Sequence, residues 1–170
     1  MSEEPGREDV QQAMDKAVLT AKIIHISIGL AVVAHLVVAY AIGKMNEPFS
    51  GFAELPEPVK TILRCVLWGL SALSLPMALF LRHMMSRPAL VQASVRTLSQ
   101  FRAFFIRNSA VTAAVLCEPA IWGFILFLLA GRLVDLVGLG AISLVYMAIL
   151  FPSMTRASEL ARHMAGSDEE

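Results

Sequence analysis

Glu118 is the residue with the clearest capacity for chemistry. It is the one charge in residues 110–130, AVTAAVLCEPAIWGFILFLLA, a run long enough to cross a bilayer, which takes about 20 apolar residues. Inserting an ionisable side chain at the centre of such a run costs about 3 kcal/mol. An intramembrane carboxylate is therefore a functional candidate by default. It can bind a proton or cation, or it can hold a neighbouring helix through a hydrogen bond. Pro119 removes a helical amide and frees the carbonyl of Val115, which shares a face with Glu118. A carboxylate beside a free carbonyl suits a cation or proton. The same proline also suits a plain helix kink, as does Pro76 with Ser71 and Ser74 nearby. His35 sits in another apolar run. At ~1.5 Å per residue, it lies about 20 Å from Lys22, and Glu118 lies about 16 Å from Arg107. The depths agree to within a helical turn, so His35 is the expected partner of Glu118, and a hydrogen bond between them would ease the burial of both.

These residues need membrane helices to position them. Of the 170 residues, 56% are hydrophobic and 16% charged, against about a quarter charged in soluble domains. The apolar residues gather in four blocks and do not form amphipathic stripes. We expect an all-α fold: a single integral membrane domain over residues 1–170, built as a four-helix transmembrane bundle with spans at about 20–43, 62–82, 109–130 and 133–152. The acidic, polar N-terminus is not the basic start of a secretory signal.

Charge sets the expected orientation. Ten of the fourteen Lys and Arg residues fall in the N-terminal segment, the connector between the second and third spans, and the C-terminal segment. The positive-inside bias then places both termini and that connector in the cytoplasm, as for a multi-pass protein of the cell (inner) membrane. The connector carries Val91, Val95, Leu98, Phe101 and Phe105 at helical spacing. It reads as an additional cytoplasmic amphipathic helix over about 88–108, with Arg87, Arg96, Arg102 and Arg107 meeting anionic lipid head groups at the cytoplasmic leaflet. An extension packed on the bundle fits the stripe equally well. The prolines of the 44–60 connector suit an irregular outer loop, with Phe49 and Phe52 at the interface. The turn at Gly131 and Arg132 is tight enough to make the last two spans an antiparallel hairpin.

The remaining chemistry is sparse. Cys65 and Cys117 fall at different depths, so no disulfide is expected. Asp135 reads as a solvated helix-end pair with Arg132, and Trp68 and Trp122 as packing or interface residues. Ala110, Ala113, Ala114 and Cys117 form a strip of small residues that lets another helix approach closely. A haem-binding subunit would need opposed histidines, but His25, His83 and His163 all fall towards the cytoplasmic side, away from His35. No metal-ligand spacing, phosphate-binding glycine loop or nucleophile with a base is present. We therefore expect no enzyme activity, no cofactor, no metal site and no nucleic-acid partner.

Residues 116–131, LCEPAIWGFILFLLAG, resemble the carboxylate-bearing helix of rotary ATPase c-type proteolipids and related small bacterial four-helix membrane proteins. In the proteolipids the membrane acid binds the transported proton or sodium ion, and the subunits form a ring. The resemblance implies Glu118 as an ion-binding carboxylate. Taken together, the sequence favours a non-enzymatic accessory or oligomerising membrane protein, a homo-oligomer or a member of a membrane complex. A proton- or cation-translocating subunit using Glu118 is the first alternative, and a haem-binding subunit the second.

Overall fold

The computed structural model describes residues 7–95 and 97–165, and all the regular structure in them is helical. Six helices follow one another: α1 (Arg7–Met45), α2 (Glu57–Met85), α3 (Pro88–Ser94), α4 (Leu98–Ala130), α5 (Leu133–Ile149) and α6 (Met154–Ala165). Three of them, α1, α2 and α4, are long and apolar enough to cross a membrane. Helix α5 has 17 residues, about 26 Å at ~1.5 Å per residue, and falls short of the ~30 Å hydrocarbon layer. It reaches a spanning length only together with α6, which is bent from it by 53°.

Helix α4 is the axis of the molecule and packs on α1, α2 and α5. The core runs along it in series. Phe101, Phe104 and Phe105 lie in one apolar cluster, Leu116, Cys117 and Ala120 in a second, Phe127 in a third, and Leu126 with Ala130 in a fourth. Most of α1 and α2 instead turns apolar side chains outward, among them Leu19, Ile23, Leu30 and Val37 on α1 and Ile62, Val66, Leu73 and Met77 on α2. A soluble protein rarely leaves so continuous an apolar belt exposed. Lipid covers it.

Both ends of α4 have local causes. At its start the Thr97 hydroxyl accepts a hydrogen bond from the Gln100 amide at 3.3 Å, satisfying one of the free amides of the first turn. At its end Gly131 adopts φ +69° and its amide donates to the Phe127 carbonyl at 2.8 Å. That left-handed cap favours glycine, and space does too: a Cβ on Gly131 would run into the backbone of Ser50 and Gly51. The 46–56 connector is pressed onto this turn. The Phe52 amide donates to the Leu128 carbonyl at 2.7 Å, and the Phe49 ring packs on Phe127 at 4.9 Å between centroids. Of the two phenylalanines expected at the interface, Phe49 is docked on the protein and Phe52 stays exposed.

At one end of the bundle the structure corrects the expected elements in two places. Helix α1 begins at Arg7, well before the expected start of the first span. Met14, Ala17, Val18 and Ala21 of this extension bury against Val91, Val95, Phe101 and Phe105, with Ala157 and Leu160 of α6 completing the cluster. The expected helix over 88–108 is in fact two, since the backbone leaves the helical path at Val95 and restarts after Thr97. Its apolar stripe is covered by protein, so the connector, α1 and α6 form a small helical cap on one end of the bundle. Arg87, Arg102 and Arg107 remain exposed on that cap, with the Arg107 guanidinium 5.8 Å from the Phe104 ring centroid. Arg96 lies outside the described residues.

Candidate functional site

Helix α4 has two faces along its apolar length. Thr112, Ala113, Leu116, Cys117, Pro119, Ala120 and Gly123 are buried. Val111, Ala114, Glu118 and Ile121 are exposed, and their spacing of three, four and three residues places them on one stripe. Glu118 therefore points out of the bundle, with a small residue one turn before it. Among the described residues its carboxylate makes no hydrogen bond and no ion pair.

The expected Glu118–His35 pair does not form. The His35 ring packs on Phe124, with centroids 5.1 Å apart. Phe124 lies six residues past Glu118 on α4, about 9 Å along the axis. The buried Nδ1 of His35 has no hydrogen-bond partner. The two groups face different ways: Glu118 lies on the exposed stripe of α4, while His35 turns to Phe124. The kink region is tied inward instead: Pro119 is buried, Val115 is half-buried, and the Ser143 hydroxyl of α5 donates to the Leu116 carbonyl next to it. Helix α2 likewise runs through Pro76 without interruption.

The small-residue strip is divided between the two faces. Ala113 and Cys117 are buried within the chain, Ala110 is half-buried, and Ala114 faces outward beside Glu118. Gly123 is what brings α5 onto α4: a Cβ there would stand 3.0 Å from Leu136 Cα and 3.1 Å from Leu139 Cβ.

A second charged centre lies where α5 begins. Asp135 is buried, against the solvated position expected for it. Its Oδ1 accepts from Arg64 Nε at 2.8 Å and from Trp68 Nε1 at 3.1 Å. Its Oδ2 has no hydrogen bond, and Arg132 Nε at 3.4 Å supplies only an opposite charge. Arg64 and Trp68 are four residues apart on α2 and so share a face, and Gly138 gives the indole room, since a Cβ there would stand 3.1 Å from the Trp68 ring. Trp68 is thus a hydrogen-bond donor in a clamp between α2 and α5. This long-range contact has no local signature in the sequence.

Among the described side chains the histidines do not oppose one another. His25 is buried, with Nδ1 3.2 Å from the Ala21 carbonyl and its ring edge-on to Phe151. His35 lies ten residues further along the same helix, about 15 Å away along the axis. His83 is exposed, and the His163 side chain lies outside the described residues. Cys65 and Cys117 are both free thiols. Among the described residues no group of three or more His, Cys, Asp or Glu side chains is arranged to hold a metal ion.

The arrangement thus offers one outward-facing carboxylate at mid-helix and one structural clamp at the helix end. No protein-family model matches the chain, and no curated protein or solved structure matches it either, so its own side chains carry the functional reading.

Proposed function

We propose that this is a multi-pass membrane protein of accessory, self-associating type, in which the α4 stripe around Glu118 is the contact between copies. The outward, unpartnered position of Glu118 carries this reading. Facing lipid, the side chain costs about 3 kcal/mol, whereas a second helix offers it a hydrogen-bond partner. Such polar contacts between membrane helices contribute about 0.6 to 2 kcal/mol, and Ala114 one turn away lets the helices approach. Two-fold pairing of α4 with α4 satisfies both carboxyl groups at one interface.

The distribution of Lys and Arg supports an orientation with both termini and the helical cap in the cytoplasm. It also supports the inner membrane as location, with Arg87, Arg102 and Arg107 directed at anionic lipid.

Proton or cation translocation is the second reading. It is favoured by the same accessible carboxylate and by the resemblance of residues 116–131 to the ion-binding helix of c-type proteolipids. Glu118→Gln separates the two, because glutamine keeps the size and the hydrogen bond but exchanges no proton. For the self-association reading, Glu118→Gln keeps the oligomer on native gels and Glu118→Leu loses it, with proton flux in liposomes at background for both and for the wild type. Flux in the wild type that Glu118→Gln abolishes would replace this reading with translocation.

A further inference from the structure

A cleft of about 260 Å³ opens between the last turn of α2 and the start of α6, with Arg82, His83, Ser86, Arg156 and Glu159 on its walls. Its volume is several times the ~30 Å³ that a water occupies in the liquid. Arg156 is over nine-tenths buried. Among the described residues its one side-chain hydrogen bond is a long one, from Nη2 to the Ser86 hydroxyl at 3.5 Å, and no carboxylate stands within ion-pair distance. Ser86 is itself fixed, donating to the Arg82 carbonyl at 2.7 Å. Arg82 and Glu159 share the cleft with Arg156, and their charges act on it in opposite senses, Arg82 repelling and Glu159 attracting. His83 and Glu159 stand exposed at the rim.

Two guanidinium groups on the walls of one cleft, one of them buried, are unfavourable without an anion. A buried charge lacking a partner is among the strongest destabilising features a fold can carry. A single carboxylate at the rim leaves the walls with an excess of positive charge. The guanidinium fork matches phosphate oxygens in geometry, and a charge-assisted pair of this kind is about twice as strong as a neutral hydrogen bond. The cleft also sits where the apolar run of α2 ends, at the level of lipid head groups in a membrane-spanning arrangement.

We propose that the cleft binds a phosphate group between Arg82 and Arg156, with the Ser86 hydroxyl orienting the Arg156 guanidinium and the head group of an anionic phospholipid as the source of the phosphate. The site is independent of the α4 stripe and does not rest on self-association. It is also distinct from the exposed arginines of the cap, which meet lipid without a cavity.

The test is native mass spectrometry of the full chain, released from detergent after exposure to phosphatidylglycerol or to phosphatidylcholine. It is paired with thermal unfolding in inorganic phosphate against chloride at equal ionic strength. The wild type is expected to retain phosphatidylglycerol about tenfold better than phosphatidylcholine, a preference that Arg82→Gln and Arg156→Gln each abolish and that the exposed control Lys44→Gln, in the last turn of α1, leaves intact. Ser86→Ala weakens retention less and carries the test with Arg82→Gln if Arg156→Gln fails to fold. Stabilisation by inorganic phosphate without lipid retention, lost in Arg82→Gln, would support the phosphate site and assign it a soluble source. Equal retention of the two lipids with no effect of phosphate, or retention unchanged in both Arg82→Gln and Ser86→Ala, would overturn the proposal.

Discussion

Asp135 and Glu118 show how differently two carboxylates are treated in one small apolar bundle. Asp135 is enclosed and hydrogen-bonded by Arg64 and Trp68, whereas Glu118 is turned outward and has no partner among the described residues. The first is a fastening. Replacing Asp135 with Ala removes the acceptor of two hydrogen bonds, and the unfolding free energy in a denaturing-detergent titration is expected to fall by about 2 kcal/mol. That is less than the figure for a fully buried pair, because the Arg64 and Arg132 side chains are 43% and 42% exposed and rehydrate on losing their partner. Arg132→Ala removes only the looser contact, so it should change stability by less than about 0.5 kcal/mol. Equal effects of the two substitutions would mean that the hydrogen-bonded geometry of the clamp is not what stabilises it. Sequence reasoning found Asp135 and Arg132 as neighbours but could not place Arg64 and Trp68 beside them. A contact across more than sixty residues leaves no local pattern.

At the scale of elements, close approach of α4 and α5 depends on Gly123, and it can be tested against a glycine that does nothing similar. Gly123→Leu has to displace α5 at Leu136 and Leu139, which is expected to destabilise the protein by about 2 kcal/mol. Gly69→Ala on α2 meets nothing within 4 Å and should be neutral or stabilising by up to about 1 kcal/mol, the difference in helix propensity. Reversal of that order would place the tight helix contact elsewhere. The apolar blocks of α2 and α4 and the turn at Gly131 were legible in the sequence, because each is a long run with a clear break. The α1 extension was not, because Asp9, Asp15 and Lys16 interrupt a narrow seam of Val10, Met14, Ala17 and Ala21 at four- and three-residue spacing. The break before α4 did have a signal. Thr97 followed three residues later by Gln100 is the pattern of an N-terminal capping box, and the continuous apolar stripe around it concealed the boundary.

At the scale of the whole molecule, the chain divides into an apolar bundle wrapped around α4 and a helical cap in which α1, α3, α6 and the start of α4 close over aromatic side chains. The cap explains why so many charged residues cluster at one end without lying on lipid through their apolar neighbours. Among the described residues the Glu118 carboxylate has no partner on the outer face of the bundle, and a second copy of the chain is the partner proposed for it. The most direct measurement is the number of copies per particle, counted by single-molecule photobleaching after reconstitution into lipid nanodiscs at low protein density. Self-association through the α4 stripe predicts more than one copy for the wild type and for Glu118→Gln, and a single copy for Glu118→Leu at the same protein-to-lipid ratio. A wild-type protein that is monomeric, or a Glu118→Leu variant that assembles as the wild type does, would contradict it.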